Sequence, residues 1–186
     1  VLWELARQPA TLSKLRAEIE KILGDAETPT YEQLKDMKFL KAILNESQRL
    51  YPIVPSNSRE AIVDTFLPHS SDPLRPLLVL KGTYVAYHVY ALHRRTDIYG
   101  EDADVFRPER WLEPGFRPGW AFMAFSGGPR VCIGQNFAIT EAMYVVVRLV
   151  RGLEIETRDE EVWREKLSVT CTGAGGCRVG LRRREN

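Results

Sequence analysis

Cysteine is scarce, long apolar runs are missing and the charges nearly cancel, and each shortage excludes a class of protein. The three cysteines, Cys132, Cys171 and Cys177, are too few and too scattered for a disulfide scaffold, and no C-x-x-C pair suggests a zinc site. A reducing compartment suits that usage best. With 26 Lys+Arg against 25 Asp+Glu, a formal net charge of +1 creates no field for wrapping nucleic acid. No stretch approaches the roughly 18 to 20 apolar residues of a spanning helix, and the run Ala142 to Val147 stops at Arg148. The start, Val1-Leu2-Trp3-Glu4-Leu5, has no initiator Met, basic region or cleavage site, so it reads as the middle of a helix rather than a signal peptide. What is present, 44% hydrophobic and 27% charged residues over 186 positions, argues for a globular chain and against disorder. No internal repeat occurs.

Along the chain, Gln8-Pro9 ends a first helix, because proline disfavours helical geometry in the residue before it. A second helix, with Thr11 or Ser13 as N-cap and Gly24 as C-cap, carries Leu15, Ile19, Ile22 and Leu23 on one face. After the turn-prone residues 27–30, a third helical region runs toward Tyr51 with Phe39, Leu40, Ile43, Leu44, Ser47 and Leu50 inward, until Pro52 and Pro55 forbid continuation. Short strands are expected at Thr65 to Leu67, Leu77 to Leu80 and Thr83 to Tyr90, with Pro73 and Pro76 in a connecting loop. Residues 97–130 lack period but hold Phe106, Trp111, Phe116, Trp120 and Phe122, which offer surface to bury. A strong helix follows Gly134 and runs to Arg151, with Phe137, Ala138, Ala142, Val145, Val146 and Leu149 on one face and Gly152 ending it. Leu153 to Thr157 reads as a strand, and Leu167 to Cys171 and Cys177 to Leu181 are expected to pair across the glycine-rich turn 172–176.

The decisive segment is Phe125-Ser126-Gly127-Gly128-Pro129-Arg130-Val131-Cys132-Ile133-Gly134, which fits F-x-x-G-x-R-x-C-x-G. At ordinary residue frequencies its five fixed positions coincide about once in a million windows. Physically it describes a thiolate presented to a metal. The glycines and proline allow a tight turn, the following helix points its positive end at the sulfur, and Gly134 lets backbone approach closely. One sulfur cannot fill a four-coordinate zinc site but suffices where a porphyrin supplies the other ligands, so haem iron fits better. Without C-x-x-C-H the haem is not covalently attached. Arg130 is a propionate partner by charge-assisted hydrogen bonding.

At these residues the sequence resembles the haem-thiolate monooxygenases, the cytochrome P450 family. Further matches follow in the family's order: Glu46-Ser47-Gln48-Arg49 fits E-x-x-R, Phe106-Arg107-Pro108-Glu109-Arg110-Trp111 fits F-x-P-E-R-[FW], and Arg59 aligns with a propionate-contacting position. Alone, Glu46 and Arg49 would make an exposed pair contributing about 0.3 to 0.5 kcal/mol. With Arg110 arriving from the long loop, a buried guanidinium instead bridges carboxylate and loop carbonyls and locks the loop to the helix, a structural role that the family also implies. His93 reads less as a catalyst than as a histidine closing a strand near the haem edge, satisfied by a backbone or propionate oxygen. Cys171 and Cys177, facing each other across the expected hairpin, are free thiols in a reducing compartment. Asp159-Glu160-Glu161 and Arg182 to Arg184 are solvated charge runs.

The resemblance implies an α+β, mainly α fold, with residues 1–186 forming the C-terminal haem-binding portion of a single domain. It also implies haem b (iron protoporphyrin IX) bound through Cys132 with Arg130, Arg59, Phe125 and Gly134 around it. Electrons come from NADPH through a reductase, and O2 and a hydrophobic small molecule are the substrates. Residues 87–95, 116–122 and 135–142 look like those of fungal alkane- and fatty-acid-hydroxylating members. Ile53, Val54, Pro55, Ser56, Asn57, Thr172, Gly173 and Ala174 are the substrate-facing positions carried over. The family's acid-threonine helix and N-terminal membrane anchor are expected upstream of Val1, at the cytosolic face of the endoplasmic reticulum, and the 186 residues alone are expected not to turn over. Two rivals stay open: a truncated, inert haem- or partner-binding fragment, and a peroxide isomerase or dehydratase that needs no reductase.

Overall fold

The computed structural model describes residues 1–69, 72, 74–158 and 162–184; Pro73 and the acidic run at 159–161 lie outside them. Four helices open the chain: α1 (Leu2–Arg7), α2 (Pro9–Leu23), α3 (Tyr31–Asp36) and α4 (Lys38–Leu50). Helix α2 starts at Pro9 itself, with Gln8 rather than Thr11 or Ser13 as N-cap. Proline at the first helical position lacks only an N–H that would have no intrahelical partner anyway. Thr11 instead turns its hydroxyl back to Gln8 Oε1. Gly24, at φ 52°, ends the helix as expected.

The single helical region expected before Tyr51 is two helices. Thr30 and Gln33 form a capping box that starts α3, and the chain breaks at Met37, whose side chain is fully buried. No side chain at Met37 caps α4. The carboxylate of Glu18, on α2, accepts from the N–H groups of Phe39 (2.7 Å) and Leu40 (2.9 Å). A helix start left with free donors is thereby satisfied from another helix. The core joins Leu5, Leu15, Ile19, Leu40, Ile43 and Leu50 to Val146, Val147 and Val150 of α7 (Gln135–Gly152).

The strands are short and paired in twos: β1 (Asn57–Glu60) with β4 (Tyr84–Tyr87), β2 (Thr65–Leu67) with β3 (Leu77–Val79), β5 (Leu153–Thr157) with β8 (Val179–Arg183), and β6 (Glu165–Leu167) with β7 (Cys171–Gly173). Three expectations change here. The strand expected at Thr83 to Tyr90 gives way to helix α5 (Val89–Leu92), whose Tyr90 N–H donates to Pro55 O. The glycine-rich turn does not join Leu167–Cys171 to Cys177–Leu181. Instead β7 folds back on β6 across residues 168–170, and β8 pairs with β5, where Ile155 is buried and aligned with Leu181. Cys171 is therefore buried and Cys177 exposed, both free, and they do not face each other across a hairpin. On α7 the buried positions are Met143, Val146, Val147 and Val150, whereas Phe137, Ala138 and Val145 are exposed.

Residues 97–130 contain the end of α6 (Thr96–Tyr99) and three 3-10 turns at Pro108–Leu112, Gly119–Ala121 and Gly128–Arg130. Phe106 is buried, but Trp120 is 71% exposed, with one edge on Gly127: a Cβ there would stand 2.3 Å from the indole. The architecture is α+β and mainly helical. Among the described residues no helix is long and apolar enough to cross a membrane.

Candidate functional site

Two constructions meet in the loop between α6 and α7. The first is a buried ionic network. Glu46 and Arg49, one turn apart on α4, are both fully buried, and Arg110 is 1% exposed. Arg49 forks onto Glu46 through Nε (2.9 Å) and Nη2 (2.8 Å), and its guanidinium also donates to the carbonyls of His93 (2.8 Å), Ala103 and Val105 (3.1 Å). Arg110 donates from Nε to Glu46 (3.0 Å) and from Nη1 to Tyr99 O (2.7 Å). Two positive charges share one carboxylate in the interior, and Asp102 supplies part of the balance at 3.3 Å from Arg110. The carbonyls of Ala103 and Tyr99 so engaged are buried backbone acceptors that would otherwise be left unsatisfied. The expected bridge from helix to loop is present.

Sequence reasoning missed two further donors on Glu46. Trp111 Nε1 donates at 2.9 Å and the backbone N–H of Arg107 at 2.9 Å. A tryptophan immediately after Arg110 was a usable signal, because a buried indole N–H needs an acceptor. His93 is fully buried and sits at the C-terminal end of α5, not at the end of a strand. It is satisfied by backbone alone: Nδ1 lies 3.1 Å from Arg49 O, and Nε2 accepts from Met123 N–H at 2.9 Å. The aromatic cluster of Trp3, Tyr51 and Trp163 was also not anticipated.

The second construction is the cysteine loop. Ser126 N–H donates to Met123 O (3.0 Å), Val131 N–H to Gly128 O (3.1 Å) and Cys132 N–H to Phe125 O (2.9 Å), so the segment closes on its own backbone. Gly128 takes φ 62°, and Ser126 takes the same value, the one left-handed residue other than glycine among those described. Such strain persists where surrounding structure fixes it, and it collects at functional sites. Cys132 is exposed and stands three residues before α7 begins, one turn from the positive pole of that helix. A Cβ on Gly134 would sit 3.9 Å from the sulfur, an ordinary contact, so crowding against Cys132 does not demand glycine there.

Cys132, Arg130, Phe125, Val54, Asn57, Tyr87 and Val89 are among the residues lining a concavity of about 170 Å³. Arg59, exposed on β1, lies over the Tyr87 ring and donates to Ser126 Oγ at 3.4 Å, so both arginines reach the loop. Pro55 and Ser56 line a neighbouring hollow with Tyr90 and Leu167. Ile53 is 51% exposed, and its carbonyl accepts from Cys171 N–H at 2.8 Å. Thr172 and Gly173 belong to strand β7 rather than to a hairpin turn. Gly173 and Ala174 line a narrow crevice with Trp3 and Trp163, so they are not brought to the Cys132 concavity.

The donor set suits haem. A metal held by protein alone needs several side-chain ligands, and no group of three or more His, Cys, Asp or Glu residues among those described offers them. A single sulfur beside an apolar hollow, with two guanidiniums at the same loop, matches instead a planar ligand that brings its own nitrogens and carries carboxylates. That is the donor arrangement of a haem-thiolate protein.

Residues 1–172 match the family described as Cytochrome P450. Over 182 residues the chain is 45% identical to cytochrome P450 monooxygenase FPY7 of Fusarium mangiferae, covering 96% of this chain and 34% of that protein. It is 53% identical over 175 residues to cytochrome P450 52A12 of Debaryomyces hansenii, covering 89% and 34%, and 52% identical over 167 residues to cytochrome P450 52A5 of Candida maltosa, covering 86% and 32%. The chain belongs to the cytochrome P450 family. It spans about a third of the length of the curated relatives it matches.

Proposed function

We propose that this chain is the C-terminal haem-binding part of a single monooxygenase domain, and that the protein inserts one oxygen atom of O2 into a C–H bond of a hydrophobic, long-chain alkane or fatty-acid substrate. The observation that carries the reading is the exposed Cys132 sulfur at an apolar concavity, in a loop closed by its own backbone. Haem b bound there supplies the iron redox chemistry in which O2, two electrons and two protons convert a C–H group to C–OH and water. Electrons come from NADPH through a reductase, at the cytosolic face of the endoplasmic reticulum.

The chain's own residues bind, orient and insulate. Cys132 would hold the haem iron through its sulfur. Arg130 and Arg59 hold the propionates, with Phe125 and Gly134 against the macrocycle. Glu46, Arg49 and Arg110 fix the loop that carries the sulfur. Ile53 to Asn57 face the substrate, and the apolar Ile53 and Val54 support a hydrocarbon rather than a polar ligand. Reductase-supported turnover of a long-chain fatty acid under isotopically labelled O2 tests the reading. One labelled oxygen in the product is expected, and unlabelled product or peroxide rearrangement without reductase would overturn it.

A further inference from the structure

His93 performs a task the ionic network does not. A neutral imidazole has one nitrogen that donates and one that accepts. A backbone N–H can only donate, so the contact from Met123 N–H makes Nε2 the bare nitrogen and places the proton on Nδ1, which donates to Arg49 O. The tautomer is set by its partners. The two residues also hold each other reciprocally, since Arg49 Nη1 donates to the carbonyl of His93 at 2.8 Å. The Phe122 ring stacks on the imidazole at 5.1 Å and 26°, fixing its plane. Met123 is the residue whose carbonyl starts the turns leading through Ser126 and Phe125 to Cys132.

We propose that His93 is a positioning residue for Cys132: as the neutral Nδ1–H imidazole it clasps the first residue of the cysteine loop to the end of α4, and so sets where the sulfur is presented. The inference rests on the reading of Cys132 as the haem ligand. Protonation would place an N–H on Nε2 against the Met123 N–H and open the clasp. Burial opposes protonation first. The guanidinium of Arg49 on α4 and that of Arg94, next in sequence and paired with Asp104 at 3.1 Å, add to the opposition, and the pKa is held down at about 4. Glu46, on the same helix as Arg49, gives its oxygens to Arg49, Arg110, Trp111 and the Arg107 N–H rather than to the ring. The loop side brings only Phe122 and the Met123 backbone.

Two variants of the haem-loaded protein test this. His93→Phe keeps a ring but neither hydrogen bond; His93→Gln offers a carboxamide that can accept from Met123 and donate to Arg49. Two readouts are taken: amide hydrogen exchange across residues 123–132, and the fraction of the ferrous carbonyl complex with the red-shifted thiolate Soret band, followed between about pH 6.5 and 4. His93→Phe is expected to speed exchange at Met123 by about tenfold or more and to lower the thiolate fraction at neutral pH. His93→Gln is expected to keep most of both while losing the wild-type proton step. Wild-type exchange and band in His93→Phe would overturn the proposal. Should that variant not fold, an acid profile in His93→Gln identical to wild type would overturn it. If wild type shows no thiolate band and Cys132→Ala changes nothing, the ligand reading fails instead, and the exchange result still judges the clasp.

Discussion

The loop between α6 and α7 is held in opposite ways at its two halves. In residues 99–111 the chain is pinned by charge: one carboxylate and two guanidiniums, sealed from water, engage backbone groups of Tyr99, Ala103, Val105 and Arg107. In residues 123–132 it is pinned by turns and by one neutral imidazole, and its cysteine remains exposed. Ionic anchoring gains strength as water is excluded, so it belongs in the interior, where each partner depends on the others. The Cys132 sulfur, proposed to meet a haem iron, stays exposed, and the turns together with the His93 contact present it. The first half is fixed so that the second can stay open.

Removing the sulfur is the harshest intervention. Cys132→Ala in the haem-loaded protein is expected to abolish the red-shifted Soret band of the ferrous carbonyl complex, while the first half of the loop keeps its fold by circular dichroism. A retained band would sink the axial assignment.

Glu46→Ala strikes the other half. It strands Arg49 and Arg110 without their carboxylate, a loss of about 3 to 5 kcal/mol by the usual cost of an uncompensated buried charge, seen as a lower denaturation midpoint and missing holoprotein. A stable, haem-replete variant with slow turnover would instead give Glu46 a part in the chemistry.

Acid distinguishes the imidazole from the carboxylates. Below about pH 6.5 the unfolded chain protonates its histidine, whereas folded His93 resists until about 4, so stability attributable to His93 is complete above 6.5 and is lost as pH falls through that window. The total is about 3 kcal/mol, measurable as the difference between wild-type and His93→Gln unfolding curves. Equal pH slopes would remove His93 from the account.

Trp111→Phe deletes one hydrogen bond to an already shared carboxylate and is expected to cost about 1.5 to 3 kcal/mol in denaturant unfolding. The smallest effect belongs to Lys14, 60% exposed, which pairs at 2.6 Å with Glu109 in the same turn as Arg110. Lys14→Ala is expected to cost less than about 1 kcal/mol and to be masked by salt. A loss as large as that of Glu46→Ala would erase the distinction between buried and exposed anchoring.

The cysteine segment and the Glu46–Arg49 pair were legible because their chemistry is local. Ten consecutive residues specify the turn and the sulfur, and one helical turn puts carboxylate and guanidinium on a shared face. Helices α2 and α7 and strand β5 were legible from period and terminal glycines, though not the start of α2. What eluded the sequence was choice of partner. Strand β8 pairs with β5 instead of closing the glycine hairpin, and periodicity cannot rank two pairings whose strands suit both. Phe137 and Val145 share α7 with the core residues yet face outward, since a helix with apolar residues on several sides leaves to its neighbours which of them is buried.

By itself, then, the sequence determined a cysteine-presenting loop, a helix carrying an acid-base pair and the family that joins them, because covalent spacing fixes each within a few residues. Only the tertiary structure decided that Glu18 starts α4, that Trp111 completes Glu46 and that His93 carries its proton on Nδ1. Each of those outcomes depends on which donor meets which acceptor across 21 or more residues, and burial forces the match because an unmatched polar group has no water to turn to.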